Sequence, residues 1–112
     1  MPKYVVLYFA PAFAAIKMAA ARPEDMKKEM ESWMVWAKKC GSHLIDMGTP
    51  LGNGFKMSKS GATSLGKKGI VGYSLLEAAS MSAAKALLKG HPHLVWTDGC
   101  EIEVYESMPL PG

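Results

Sequence analysis

The chain has 112 residues and a mass of 12.1 kDa, enough for one compact domain over residues 1–112 and too little for two. With 49% hydrophobic and 21% charged residues it can fill a core, which excludes an intrinsically disordered chain. A net charge of +3 falls short of the dense basic footprint of a dedicated nucleic-acid binder, so no nucleic-acid partner is expected.

Residues 3–9 are apolar on both faces, Val5, Leu7 and Phe9 alternating with Tyr4, Val6 and Tyr8, which is the pattern of a central strand. This opening, followed by Ala19, Ala20 and Ala21, superficially resembles a secretory leader. Pro11 and Lys17 interrupt the run, however, and its β-branched and aromatic residues suit a strand, so a cytoplasmic location is expected. No window approaches the roughly 20 uninterrupted apolar residues of a membrane span. Residues 10–21 read as a connector with a short helical turn.

Pro23, Glu24 and Asp25 open a helix, since proline suits the first turn and acids complement the macrodipole there. Met26, Met30, Trp33, Met34, Ala37 and Cys40 recur at helical spacing as its predicted inner face, opposite Lys27, Lys28, Glu31 and Lys38, until Gly41 ends it. Residues 43–47 form a short strand candidate. From Gly48 to Gly72 the chain holds seven of its eleven glycines and four lysines, Lys56, Lys59, Lys67 and Lys68, with no acid, the composition of turns and a solvated basic hairpin. Residues 55–59 are that hairpin's predicted strand. Residues 70–77 form a second two-faced strand, Ser80 caps a helix over 81–89, and residues 101–106 alternate as a half-buried edge strand.

This order of elements predicts an α+β domain built as a ferredoxin-like sandwich, βαββαβ with a possible extra hairpin strand. Helices on one side of such a sheet leave the other apolar face in water, and a homodimer pairing sheet faces covers it.

The blocks Lys3-Tyr4-Val5-Val6-Leu7-Tyr8, Met47-Gly48-Thr49-Pro50-Leu51, Gly72-Tyr73-Ser74-Leu75-Leu76-Glu77, Gly90-His91-Pro92-His93-Leu94 and Gly99-Cys100-Glu101-Ile102-Glu103-Val104 follow one another over nearly the whole chain. In that order they resemble the YCII-related (DGPF-type) family. The resemblance implies a dimeric α+β barrel in which two sheets face one another and clefts accept small molecules. It also implies, for some members, a His–Asp pair with its histidine on the first helix. Between Pro23 and Cys40 this chain has no histidine, and Ser60-Gly61-Ala62-Thr63 stands where the Asp-Gly-Pro-Phe signature falls.

Candidate chemistry is therefore read from the chain's own residues. His91 and His93 flank Pro92 and fit acid/base work near neutral pH, with Asp98 as an orienting carboxylate. The plainer reading is a helix end whose imidazoles contact the last carbonyls. A metal site from His91, His93 and Asp98 or Cys100 has only chance-level spacing, so no metal and no cofactor is expected. Cys40 and Cys100, sixty positions apart, are expected as reduced thiols. Four aromatics are candidate ligand contacts: Tyr8 and Tyr73 on the central strands, Trp33 in the apolar stripe and Trp36 on its border. Core packing is the alternative for each. Two functions follow: an enzyme-like protein holding a small ring-containing molecule beside histidine acid/base groups, or a non-catalytic dimeric binding or accessory module using the same cleft.

Overall fold

Period-two and period-3.6 patterning places every long element close to where it forms. The computed structural model describes residues 1–65 and 69–111. Lys67 and Lys68 of the expected basic hairpin lie outside them. In chain order the elements are β1 (Lys3–Phe9), α1 (Phe13–Ala20), α2 (Pro23–Cys40), β2 (Leu44–Asp46), β3 (Phe55–Met57), β4 (Thr63–Leu65), β5 (Ile70–Glu77), α3 (Met81–Leu88), α4 (Pro92–Trp96) and β6 (Glu101–Glu106). The class is α+β. A four-stranded antiparallel sheet has the order β2-β5-β1-β6, and β3 and β4 pair separately as a hairpin.

The two apolar-on-both-sides segments are the two central strands of the sheet. Tyr4 pairs with Leu76, Val6 with Ser74 and Leu7 with Tyr73, and a register shift after Tyr8 brings Phe9 opposite Ile70. Tyr4, Val6, Tyr8 and Leu76 on one face pack with Trp36 and Cys40 of α2 and Ala84 and Leu88 of α3 as the main core. Each fully buried large side chain of this set contributes about 1.5–3 kcal/mol by leaving water. The opposite face, with Val5, Leu7, Phe9, Tyr73 and Leu75, is only half buried.

Helix α2 starts where proline and acids favour it: Arg22 is the N-cap, Pro23 occupies the first turn, and Asp25 Oδ2 accepts the Arg22 backbone N–H at 3.2 Å. Its inner face is rotated from the one the sequence predicts. Met26, Met30 and Met34 are each more than half exposed, whereas Trp36 and Cys40 are buried and Asp25, Glu29, Trp33 and Ala37 are half buried. Two overlapping stripes satisfy the helical period, and the fit of flat aromatic rings over β1 selects the one without the methionines. Ser80 caps α3 by accepting the Ala83 N–H at 3.1 Å. The expected connector contains a full helix, α1, of which only Ala14 is buried.

A two-stranded hairpin has little stability of its own in water. Here β3–β4 stands apart from the main sheet with Phe55 67% and Met57 63% exposed. The radius of gyration of 15.6 Å exceeds the ~13 Å of a compact chain of this length, as a projecting hairpin produces. No helix among the described residues is long and apolar enough to cross a membrane.

Candidate functional site

Four residues far apart in the chain, Tyr8 and His91 alone being 83 positions apart, meet in the core behind β1: Tyr8, Ser74, His91 and His93. Strand alternation turns Tyr8 and Ser74 to the helix side, and their pairing neighbours are Gly72 and Val6. Gly90, at φ +72°, turns the chain out of α3 so that His91 becomes the N-cap of α4 and Pro92 its first residue. The sequence reads Gly90–His93 only as a helix end. The missed feature is that it also begins the next helix, for which proline one position after a polar side chain is the signal.

The hydrogen bonds have one self-consistent direction, because a carbonyl oxygen can only accept. Ser74 Oγ donates to the Met47 carbonyl at 2.7 Å, so it must accept from Tyr8 Oη, also at 2.7 Å. Having donated its proton, Tyr8 Oη accepts from His91 Nε2 at 3.2 Å. His91 Nδ1 accepts the backbone N–H of His93 at 2.9 Å. Each ring nitrogen and hydroxyl in this chain is thereby assigned, and His91 is the Nε2–H tautomer.

His91 is fully buried and held edge-on between two indoles, 4.5 Å from the Trp33 ring and 4.3 Å from that of Trp36. Burial first, and the neighbouring His93 second, push its pKa down to about 3. It is a neutral imidazole at physiological pH. Burial likewise raises the Tyr8 hydroxyl far above its ordinary value, partly opposed by the bond to Ser74. Neither group is poised to exchange protons near neutrality.

The two tryptophans have exchanged the roles that the sequence suggests. Trp36 is 4% exposed and its Nε1 donates to the Leu87 carbonyl at 2.8 Å, tying α2 to α3. Trp33, set edge-on to Tyr8 at 5.1 Å, forms the wall of a cleft. That cleft has a volume of about 1090 Å³ and lies between α1, α2, α4 and the loop Met47–Leu51. Tyr8, Trp33 and His93 line its inner side, and Met18, Met26 and Met30 its helical side. The methionines exposed by the rotation of α2 thus include part of this lining.

Backbone geometry fixes the loop wall. Gly48 has φ +78°, and a Cβ there would lie 1.8 Å from the Tyr73 carbonyl oxygen. Leu51 N donates to the Val71 carbonyl at 2.9 Å and Pro50 bridges to Gly72, so the loop runs along β5 and holds the Met47 carbonyl over Ser74. Ser74 is a further site residue, and its signal in the sequence is a lone hydroxyl at a core-facing position of an apolar strand.

The remaining candidates are dispersed. Tyr73 borders the cleft but belongs to the other face of β5, and its hydroxyl donates to Asp46 Oδ2 at 3.4 Å. Asp98 is exposed in the turn before β6 and makes no hydrogen bond or ion pair with either imidazole among the described residues. It does not orient them. His93 Nε2 donates to the Phe9 carbonyl at 2.8 Å. Cys40 and Cys100 are free, buried thiols whose pKa values burial raises, which makes them poor nucleophiles. Among the described residues no group of three or more His, Cys, Asp or Glu side chains gathers as metal donors. Comparison with protein-family models and with the curated proteins gives no match.

Proposed function

We propose that this chain is a YCII-like protein that binds a small ring-containing molecule in the cleft beneath α1 and α2, as a binding module in which the His91 chain is structural. The observation that carries the reading is the lining: a deep cleft walled by Trp33, Tyr8 and His93, with methionines on the helical side. Aromatic faces with adaptable thioethers suit planar apolar ligands of varied outline. The neutral state of His91, and the separation of Asp98 from both imidazoles, favour binding over acid/base catalysis by that group.

Two further expectations belong to the same proposal. The strand order β2-β5-β1-β6, with α2 and α3 packed on one face, supports a ferredoxin-like arrangement. The half-buried face bearing Val5, Leu7, Phe9 and Leu75, flanked by Ile45 and Tyr105 at 43% and 53% exposure, is a larger apolar surface than a monomer comfortably leaves in water. A second copy pairing the same face about a two-fold axis covers it and gives a dimeric α+β barrel.

Tryptophan fluorescence tests the cleft. Trp96 also lines the cleft, so it is replaced in both test proteins. Small aromatic compounds are expected to quench a Trp36→Phe/Trp96→Phe protein saturably, because Trp33 remains in the wall, and to quench a Trp33→Phe/Trp96→Phe protein far less, because its Trp36 is buried against Leu87. Absence of saturable quenching by any aromatic up to millimolar concentration overturns the binding reading.

A further inference from the structure

Within a cleft that accepts rings, orientation comes from its few polar groups, and here almost all the deep ones are already committed. Tyr8 Oη and Ser74 Oγ have both donated their protons, and both nitrogens of His91 are bonded. Trp36 Nε1 is directed to Leu87. His93 differs. Its Nε2 must carry the proton, since it donates to the Phe9 carbonyl, so in the neutral ring Nδ1 bears a lone pair. No described residue donates to that nitrogen. No side-chain nitrogen or oxygen among the described residues is both sealed from solvent and unpartnered, so Nδ1 retains solvent access, although His93 as a whole is only 5% exposed. The space that His93 lines is the cleft.

We infer that His93 Nδ1 is the hydrogen-bond acceptor that orients the ligand, and that the ligand class is aromatic compounds carrying an O–H or N–H donor on the ring. This rests on the ring-binding reading and narrows it. The bond to Phe9 fixes the tautomer and direction of the imidazole, as second partners do for histidines that bind ligands. Tyr8, 5.2 Å from the His93 ring, and Trp33 beyond it provide the faces against which the ring of such a ligand lies. Two further half-buried acceptors line the cleft from the inner face of α2: the Asp25 carboxylate, which Arg22 engages, and the Glu29 carboxylate, one turn before Trp33. Glu29 belongs to a solvated helix and has no fixing partner among the described residues.

The test compares p-cresol with 4-methylanisole, which have the same ring and similar shape but differ in the donor. Both are titrated into the full chain at pH 8, above the ordinary imidazole range, by heteronuclear NMR. One hydrogen bond to an otherwise unpaired acceptor corresponds to roughly threefold to tenfold tighter binding of p-cresol. The His93 Nδ1 nitrogen resonance should move with p-cresol and not with 4-methylanisole. The affinity ratio should fall to about one in His93→Phe and persist in Glu29→Gln. If the two compounds bind equally, or if Glu29→Gln abolishes the preference, the anchor assignment is wrong while the cleft stands. If neither binds, the ring-binding reading fails as well. Should His93→Phe not fold, the nitrogen shift in the unmodified chain decides.

Discussion

Acid should destabilise this protein through the buried His91 ring. His91 is held neutral, its pKa pushed down to about 3 from an ordinary 6.5, so the unfolded chain takes up a proton between these values that the folded chain refuses. The sign follows: stability is greatest above pH 6.5 and is lost as pH falls toward 3. The slope approaches about 1.4 kcal/mol per pH unit, and integrating the two titrations from pH 7 to pH 5 gives a loss of about 2 kcal/mol. For a domain of this size that lowers Tm by roughly 8 °C. Asp25, whose carboxyl is held below its ordinary value by the bonds from Arg22, loses its contribution only under more acid conditions, and the two thiols, raised by burial, titrate above this window. Urea denaturation at pH 7, 6 and 5 measures the effect. The companion variant is His91→Asn, which keeps an acceptor for the His93 N–H at the helix N-cap but cannot titrate. It should be less stable at pH 7, by about 2–4 kcal/mol, through loss of the ring between the indoles and of the bond to Tyr8. It should nevertheless lose about 2 kcal/mol less than the parent on going to pH 5. Parallel pH profiles of the two proteins, or a His91 proton resonance titrating near pH 6.5, would refute the assignment.

Tyr8→Phe removes the acceptor for the His91 Nε2–H in a sealed site and should cost about 1–3 kcal/mol in urea, and Ser74→Ala should then cost less in that background than in the parent. Gly48→Ala places a methyl group against the Tyr73 carbonyl at a positive φ, and a loss of about 3 kcal/mol or more, or failure to express as folded protein, is expected; a neutral effect would show that the loop is free to move off β5. In sedimentation velocity the parent chain should run at twice its 12.1 kDa mass and Leu7→Lys, which places a charge in the middle of the open sheet face, should run as a monomer. A monomeric parent at every concentration removes the dimer.

Patterning along the chain settles what is local. Residues 3–9 and 70–77 are apolar on both faces and become the two inner strands, residues 101–106 alternate and become an edge, and Ser80 caps the helix it precedes. Each of those outcomes depends on neighbours a few positions away. The rotation of α2 does not: its methionine stripe and its Trp36–Cys40 stripe satisfy the same 3.6-residue period, and the choice is made by which side chains fit over Tyr8 and Leu76 from distant strands. The site is less local still. Tyr8 and Ser74 are 66 positions apart, Tyr8 and His91 are 83, and their bonds exist because strand register and the turn at Gly90 bring them to one point. A histidine in the sequence is equally compatible with a charged surface ring and a neutral buried one, because water and neighbours set its proton affinity and both are consequences of packing.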